Sequence, residues 1–173
     1  MSPDNIVPFE RRAPPSPPPD FDPVHALRTC RSLMQALGQY ELTEVAYEAC
    51  ITMLMINLHD LLQAARTLGK PLVFDEHIDA GEDAANITEL VARCRNAACH
   101  VWVRPATLPA SAYRFRRVRG GAPATPQAGD GYPACAFEDD VALYYGRYRL
   151  YLKRHVRRAI EELAPLFAPA SPA

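Results

Sequence analysis

The sequence predicts a mainly α fold, a four-helix bundle with a small β-hairpin inserted between the third and fourth helices. Three observations predict it. Several segments repeat apolar residues at helical spacing, with capping residues where they begin and glycine where two of them end. One of these, Ala49–Leu58 (A-C-I-T-M-L-M-I-N-L), is apolar nearly all round, as a helix at the centre of a bundle is. Between the third and fourth helical patterns the rhythm breaks into prolines, glycines and a short aromatic and basic run. A chain of 173 residues is long enough to bury a real core as one domain.

Residues 1–21 contain seven prolines and predict a disordered or polyproline-like leader. The domain is expected over residues 22–168, with 101–137 as an inserted loop or hairpin and 169–173 as a disordered tail. Asp22-Pro23 is an N-cap followed by proline at the first helical position. The first helix should run to about Leu37 and stop at Gly38, with Leu27, Leu33, Met34 and Leu37 inward and His25, Arg28 and Arg31 outward. The second spans roughly Glu41 to Leu68 and stops at Gly69. It carries Asn57, His59 and Asp60 beside the apolar run, and a carboxylate so placed calls for a partner such as Arg95, with solvent exposure as the alternative.

Residues 70–85 form an acidic connection with a brief extended piece at Leu72–Phe74. The third helix, N-I-T-E-L-V-A-R-C-R-N-A-A-C-H, turns Ile87, Leu90, Val91 and Cys94 to the core and ends in Arg95, Asn96 and His100. Residues i and i+4 share a helix face, so Asn96 and His100 point the same way with Arg95 on the flank. Tyr113–Val118 reads as one strand and Tyr132–Phe137 as its return. The last helix is predicted from Glu138–Asp140, where acids suit an N-terminus, to about Phe167. Its stripe is Val141, Leu143, Tyr144, Tyr148, Tyr151, Leu152, Val156, Ile160 and Leu163, with Gly146 marking close packing or a kink.

The net charge of −1 hides an asymmetry. Residues 1–89 hold fourteen acids and six bases, and residues 90–173 hold six acids and thirteen bases. A polyanion such as RNA would feel that basic half, at Arg114, Arg116, Arg117 and Arg119 of the hairpin and at Arg147, Arg149, Lys153, Arg154, Arg157 and Arg158 of the last helix. The same arginines could instead pair with the acids of residues 75–83. Five cysteines without a C-x-x-C pair read as reduced core residues of a cytoplasmic protein. The apolar run Ile51–Leu58 is too short to span a bilayer, and no membrane association is expected.

No nucleophile triad, glycine-rich nucleotide loop or metal-ligand spacing stands out, so no cofactor is expected. RNA carries its own nucleophile in the 2′-OH. An enzyme then needs a base, a cation for the phosphoryl oxygens and groups that align the strand. His100 suits the base or acid, Arg95 the phosphate clamp, and Asn96 an orienting hydrogen bond. Tyr144 or Tyr148 could stack or lend a hydroxyl. Two other readings stay open: a non-catalytic RNA- or nucleotide-binding module or protein-interaction partner, and a metal enzyme if His59, Asp60 and His100 converge.

The order helix, long helix, helix ending in R-N-A-A-C-H and basic last helix resembles the HEPN superfamily (higher eukaryotes and prokaryotes nucleotide-binding domains), over about residues 23–100 and 138–167. Its signature is an arginine, a polar residue and, after a gap of four to six, a histidine; Arg95, Asn96 and His100 match. The hairpin region departs from the minimal bundle of the family. The segment E-D-D-V-A-L-Y-Y-G-R-Y-R-L-Y-L-K-R-H also looks like uncharacterised bacterial proteins of this architecture. The resemblance implies a homodimer, Asp60 as the acid bracing Arg95, and a metal-independent endoribonuclease leaving a 2′,3′-cyclic phosphate. It further implies a toxin or anti-phage role with an antitoxin or regulatory partner.

Overall fold

A computed structural model of the chain describes residues 20–80, 83–99, 115–121, 134–146 and 148–168. The fold is mainly α, with four helices and a three-stranded sheet inserted between the third and fourth. The leader, the tail and much of the insertion lie outside the described residues.

Helix α1 (Pro23–Gln39) starts where its cap predicts, with Asp22 Oδ1 accepting from the amides of Val24 (2.9 Å) and His25 (3.0 Å). It continues through Gly38, because that glycine meets no obstacle and Tyr40 supplies the cap. Ala26, Leu27 and Cys30 are buried, and Leu33, Met34 and Leu37 pack against the core from its margin. Helix α2 (Glu44–Thr67) is capped by Thr43, and Gly69 follows it at φ +71°, where a Cβ is strained. Its residues Ile51, Leu54, Met55, Leu58, Leu61 and Leu62 are fully buried, and α1 and α3 pack against it. The whole helix, unlike the run Ile51–Leu58 alone, is long and apolar enough by composition to cross a membrane; in this fold it runs through the bundle core.

Helix α3 (Ile87–Cys99) opens on a capping arrangement in which Glu89 N donates to Asn86 Oδ1 (3.1 Å) and the Glu89 carboxylate accepts from Ala85 N (2.8 Å). Leu72–Phe74 forms no strand. It lies along the start of α3, with Thr88 Oγ1 donating to Leu72 O (2.7 Å) and Ile87 N to Phe74 O (2.9 Å).

The insertion departs from expectation. Strand β1 (Phe115–Arg119) pairs antiparallel with β2 (Val141–Tyr145), not with residues 134–137, the described part of the expected return strand, and β2 pairs antiparallel with β3 (Tyr148–Tyr151). Eleven residues assigned to the last helix, 141–151, are therefore a hairpin and its turn. Gly146 sits in that turn at φ +60°, a conformation suited to a two-residue hairpin connection and closed to most side chains. Leu143, Tyr145 and Leu150 lie on the one face that joins the core, and burial on that face decides for the sheet. The last helix begins only at Leu152, with a π-helical segment (Leu152–Arg157) that continues as α4 (Arg158–Phe167).

Asp140 joins these parts. Its side chain is fully buried, with Oδ1 accepting from the amides of Val141 (2.7 Å) and Lys153 (2.8 Å), and Oδ2 from the amide (3.1 Å) and guanidinium (3.0 Å) of Arg154. The carboxylate thus caps the last helix from thirteen residues upstream, across an entire hairpin. Its own carbonyl accepts from Gly120 N (2.9 Å), and a Cβ on Gly120 would collide with the carbonyl oxygens of Phe137 and Glu138. Removing one partner of a buried hydrogen-bonded ion pair costs roughly 3–5 kcal/mol. Asp140→Ala should therefore lower the urea unfolding free energy by about that much; a loss under about 1 kcal/mol would show that the cap is not what holds the hairpin to the helix.

Candidate nucleic-acid interface

The core face of α3 fixes the helix rotation. With Ile87, Leu90, Val91 and Cys94 inward, Arg95 is turned to the margin and Asn96 to solvent. Arg95 Nη1 donates to Asn96 Oδ1 (3.2 Å), and Arg95 Nε is buried with no acceptor among the described residues. The sequence neighbours are thus brought together. His100 lies outside the described residues.

Asp60 does not brace the arginine. Its carboxylate meets Nδ1 of its neighbour His59 at 3.1 Å, on a part of α2 where the Asp60 side chain is 34% exposed, so local pairing and water satisfy it. Among the described residues Arg95 has no carboxylate partner. No group of three histidine, cysteine or acidic residues is placed to hold a metal ion among the described residues. A groove of about 420 Å³ between α1 and α4, lined by Val24, Leu27, Pro165 and Phe167 with Arg28 and Arg31, includes none of the expected site residues.

The basic residues fall into two groups. Arg154 is engaged by Asp139 (2.9 Å) and Asp140 (3.0 Å) and lies 3.7 Å over the Phe137 ring. Arg158 pairs with Glu76 (3.0 Å) and Glu162 (2.7 Å) above the Phe74 ring. Lys153 reaches Asp139 (3.7 Å), Arg149 reaches Asp79 (3.5 Å), and Arg117 stacks on Tyr47 at 4.1 Å. The hydrogen bond from Arg154 holds the Asp139 carboxyl below its ordinary range. Arg116, Arg119 and Arg157 pair with no carboxylate among the described residues. Arg114 and Arg147 lie outside them. The part of the basic surface that faces residues 75–79 is therefore largely neutralised within the chain.

Two groups that the sequence did not single out shape this region. The Tyr145 hydroxyl is buried without a partner among the described residues, and burial pushes its ionisation up. His155 is fully buried, with Nδ1 accepting from Tyr151 N (3.1 Å) and Nε2 donating to Glu76 O (3.0 Å), an arrangement that fixes the neutral Nε2–H tautomer. It ties the end of β3 to the acidic connection that engages Arg149 and Arg158. A lone histidine in an apolar stripe was its only signal. No family model, curated protein or solved structure matches the chain.

Burial lowers the His155 pKa below its ordinary 6.5, so the unfolded chain takes up the proton first as pH falls. The stabilisation is complete above pH 6.5 and is lost as pH drops from there through the lowered folded value. Glu76 and Asp139, whose pKa values are also lowered, add their own losses only below their ordinary 4.5 and 3.8. The urea midpoint should thus fall between pH 7 and pH 5, and His155→Gln should flatten that part of the profile. An unchanged profile in the variant would remove His155 as its source.

Proposed function

We propose that this protein is a helical RNA-binding module that grips a phosphodiester at the C-terminal end of α3 and cleaves the strand there, as a metal-independent endoribonuclease of HEPN type. The observation that carries the reading is the state of Arg95. Its guanidinium is held by Asn96 alone among the described residues, whereas Lys153, Arg154 and Arg158 are engaged by carboxylates. A guanidinium without a carboxylate keeps its fork for two phosphoryl oxygens.

In the proposed step His100 takes the proton of the ribose 2′-OH and that oxygen attacks the neighbouring phosphorus. The bond from phosphorus to the 5′ oxygen breaks, giving a 2′,3′-cyclic phosphate and a 5′-OH. Arg95 balances the charge on the phosphoryl oxygens and Asn96 orients Arg95. One imidazole cannot be both base and acid in the same instant, so His100 of a second copy in a homodimer protonates the leaving oxygen. The resemblance would make this activity that of a cytoplasmic toxin or anti-phage component restrained by an antitoxin or regulatory protein.

A second reading, a binding module without catalysis, is favoured by one observation: Asp60 is spent on His59, so Arg95 lacks the bracing acid that the resemblance implies.

The test is incubation of purified protein with single-stranded RNA in the presence of a chelator. Wild type should cleave, and His100→Ala should slow cleavage by about 10²-fold or more, the usual reach of acid–base catalysis. Arg95→Ala should slow it comparably while Arg95→Lys restores part. Equal cleavage by wild type and His100→Ala would sink the catalytic reading; RNA binding by wild type without cleavage would leave the second one standing.

A further inference from the structure

The sheet carries a feature that the helical reading of residues 141–151 concealed. In its register Arg116 lies directly opposite Tyr144, and Tyr144 directly opposite Arg149. Residues opposite one another on neighbouring strands share a face, with Cβ atoms about 4.5–5.5 Å apart. An arginine, a tyrosine and an arginine thus form one row across all three strands. Leu143, Tyr145 and Leu150 point the other way, into the core, so the row lies on the opposite face, where Arg116, Tyr144 and Arg149 are half-exposed and the neighbouring Ala142 and Tyr151 are buried.

The row is set up for a ligand of negative charge and flat shape. The Tyr144 hydroxyl donates to Ala134 O (2.6 Å) and accepts from Ala134 N (3.1 Å), which fixes the ring before anything binds. Arg116 pairs with no carboxylate among the described residues. Arg149 meets Asp79 at 3.5 Å, an aspartate with 81% of its side chain in solvent, and lies 5.4 Å from the centre of the Tyr151 ring; its Nε is buried with no acceptor among the described residues. The three strands, F-R-R-V-R, V-A-L-Y-Y and Y-R-L-Y, contain no acidic residue to offset these charges. Two strand spacings, roughly 9.5 Å, separate the backbones that carry the two guanidiniums.

We infer that this outer row is a docking surface for single-stranded RNA, with one base stacked on Tyr144 and flanking phosphates held by Arg116 and Arg149. Aromatic rings between cations bind single strands because an unstacked base offers its face, whereas a duplex keeps its bases stacked inside. The inference rests on the RNA reading above and deepens it. It supplies a second phosphate-holding surface, on the side of the sheet away from the core face against which α3 packs.

The test uses a fluorescein-labelled, 2′-O-methyl single-stranded oligonucleotide, which binds but lacks the attacking hydroxyl. Affinity is read by anisotropy from 50 to 200 mM salt. Two lost phosphate contacts should cut the slope of log affinity against log salt by about 1.4, at about 0.7 per contact for single strands. The Arg116→Gln/Arg149→Gln double variant should show that change with about a tenfold or greater loss of affinity. Tyr144→Leu should weaken binding about fivefold or more through lost stacking. Lys70→Gln, which removes an exposed cation at the far end of α2, should change little. Circular dichroism and thermal melting check that each variant is folded. Wild-type affinity and slope in the folded double variant, or an equal loss in Lys70→Gln, would overturn the sheet surface. In that case cleavage still sensitive to Arg95→Ala would keep the reading at α3. No binding by wild type would overturn both.

Discussion

A single buried carboxylate holds the C-terminal half of this molecule in place. Asp140 gathers the first amide of β2, two amides of the turn that opens the last helix, and the Arg154 guanidinium. In a low-dielectric interior such a group is tolerable only when its lone pairs are filled, and those of Asp140 are. The helix N-terminus gains a negative charge at its positive end, and the hairpin is looped out between the cap and the helix it caps. The position of the sheet beside α3 follows from that closure, and so does the assignment of Arg154 to architecture.

The same economy of charge separates the cations. On the last helix, carboxylates and aromatic rings occupy the guanidiniums of Arg154 and Arg158, and His155 fastens residues 75–79 to the end of β3. On the outer sheet face and at the end of α3, the described arginines have unsatisfied donors or weak partners. A surface that looks uniformly basic in one dimension is divided in three. The division directs attention to Arg95, Arg116 and Arg149, and away from Arg154 and Arg158.

The helices α1 to α3 were legible because their signals are local. Asp22-Pro23, Gly69 and the Asn86/Glu89 pair act within one turn of chain, and the apolar spacing of Ile87, Leu90, Val91 and Cys94 fits one period alone. Residues 141–151 were not legible in the same way. Val141, Tyr144, Tyr148 and Tyr151 satisfy a helical stripe, whereas Leu143, Tyr145 and Leu150 satisfy strand alternation. Only the pairing with Phe115–Arg119, more than twenty residues upstream, selects between them. The glycine at 146 and the aromatic content favoured the strand, and they were read as packing and a kink. The acids at 138–140 predict a helix start at that point, but the helix begins beyond an intervening hairpin and of the three only Asp140 accepts from its first amides. The Asp60 partnership failed for another reason: sequence shows which helices carry opposite charges, but not that a neighbouring imidazole reaches the carboxylate first.

Five free thiols are distributed very unevenly by this architecture. Cys30 and Cys94 are sealed in the core, where burial pushes the Cys30 thiol up to about 12 and raises that of Cys94 as well. Neither will offer a thiolate to an electrophile while the fold is intact. Cys99 is exposed at the last position of α3, with Asn96 one turn before it. An environment-sensitive maleimide dye would therefore find its most open target beside the arginine, and its emission would report what comes and goes at that end of the helix.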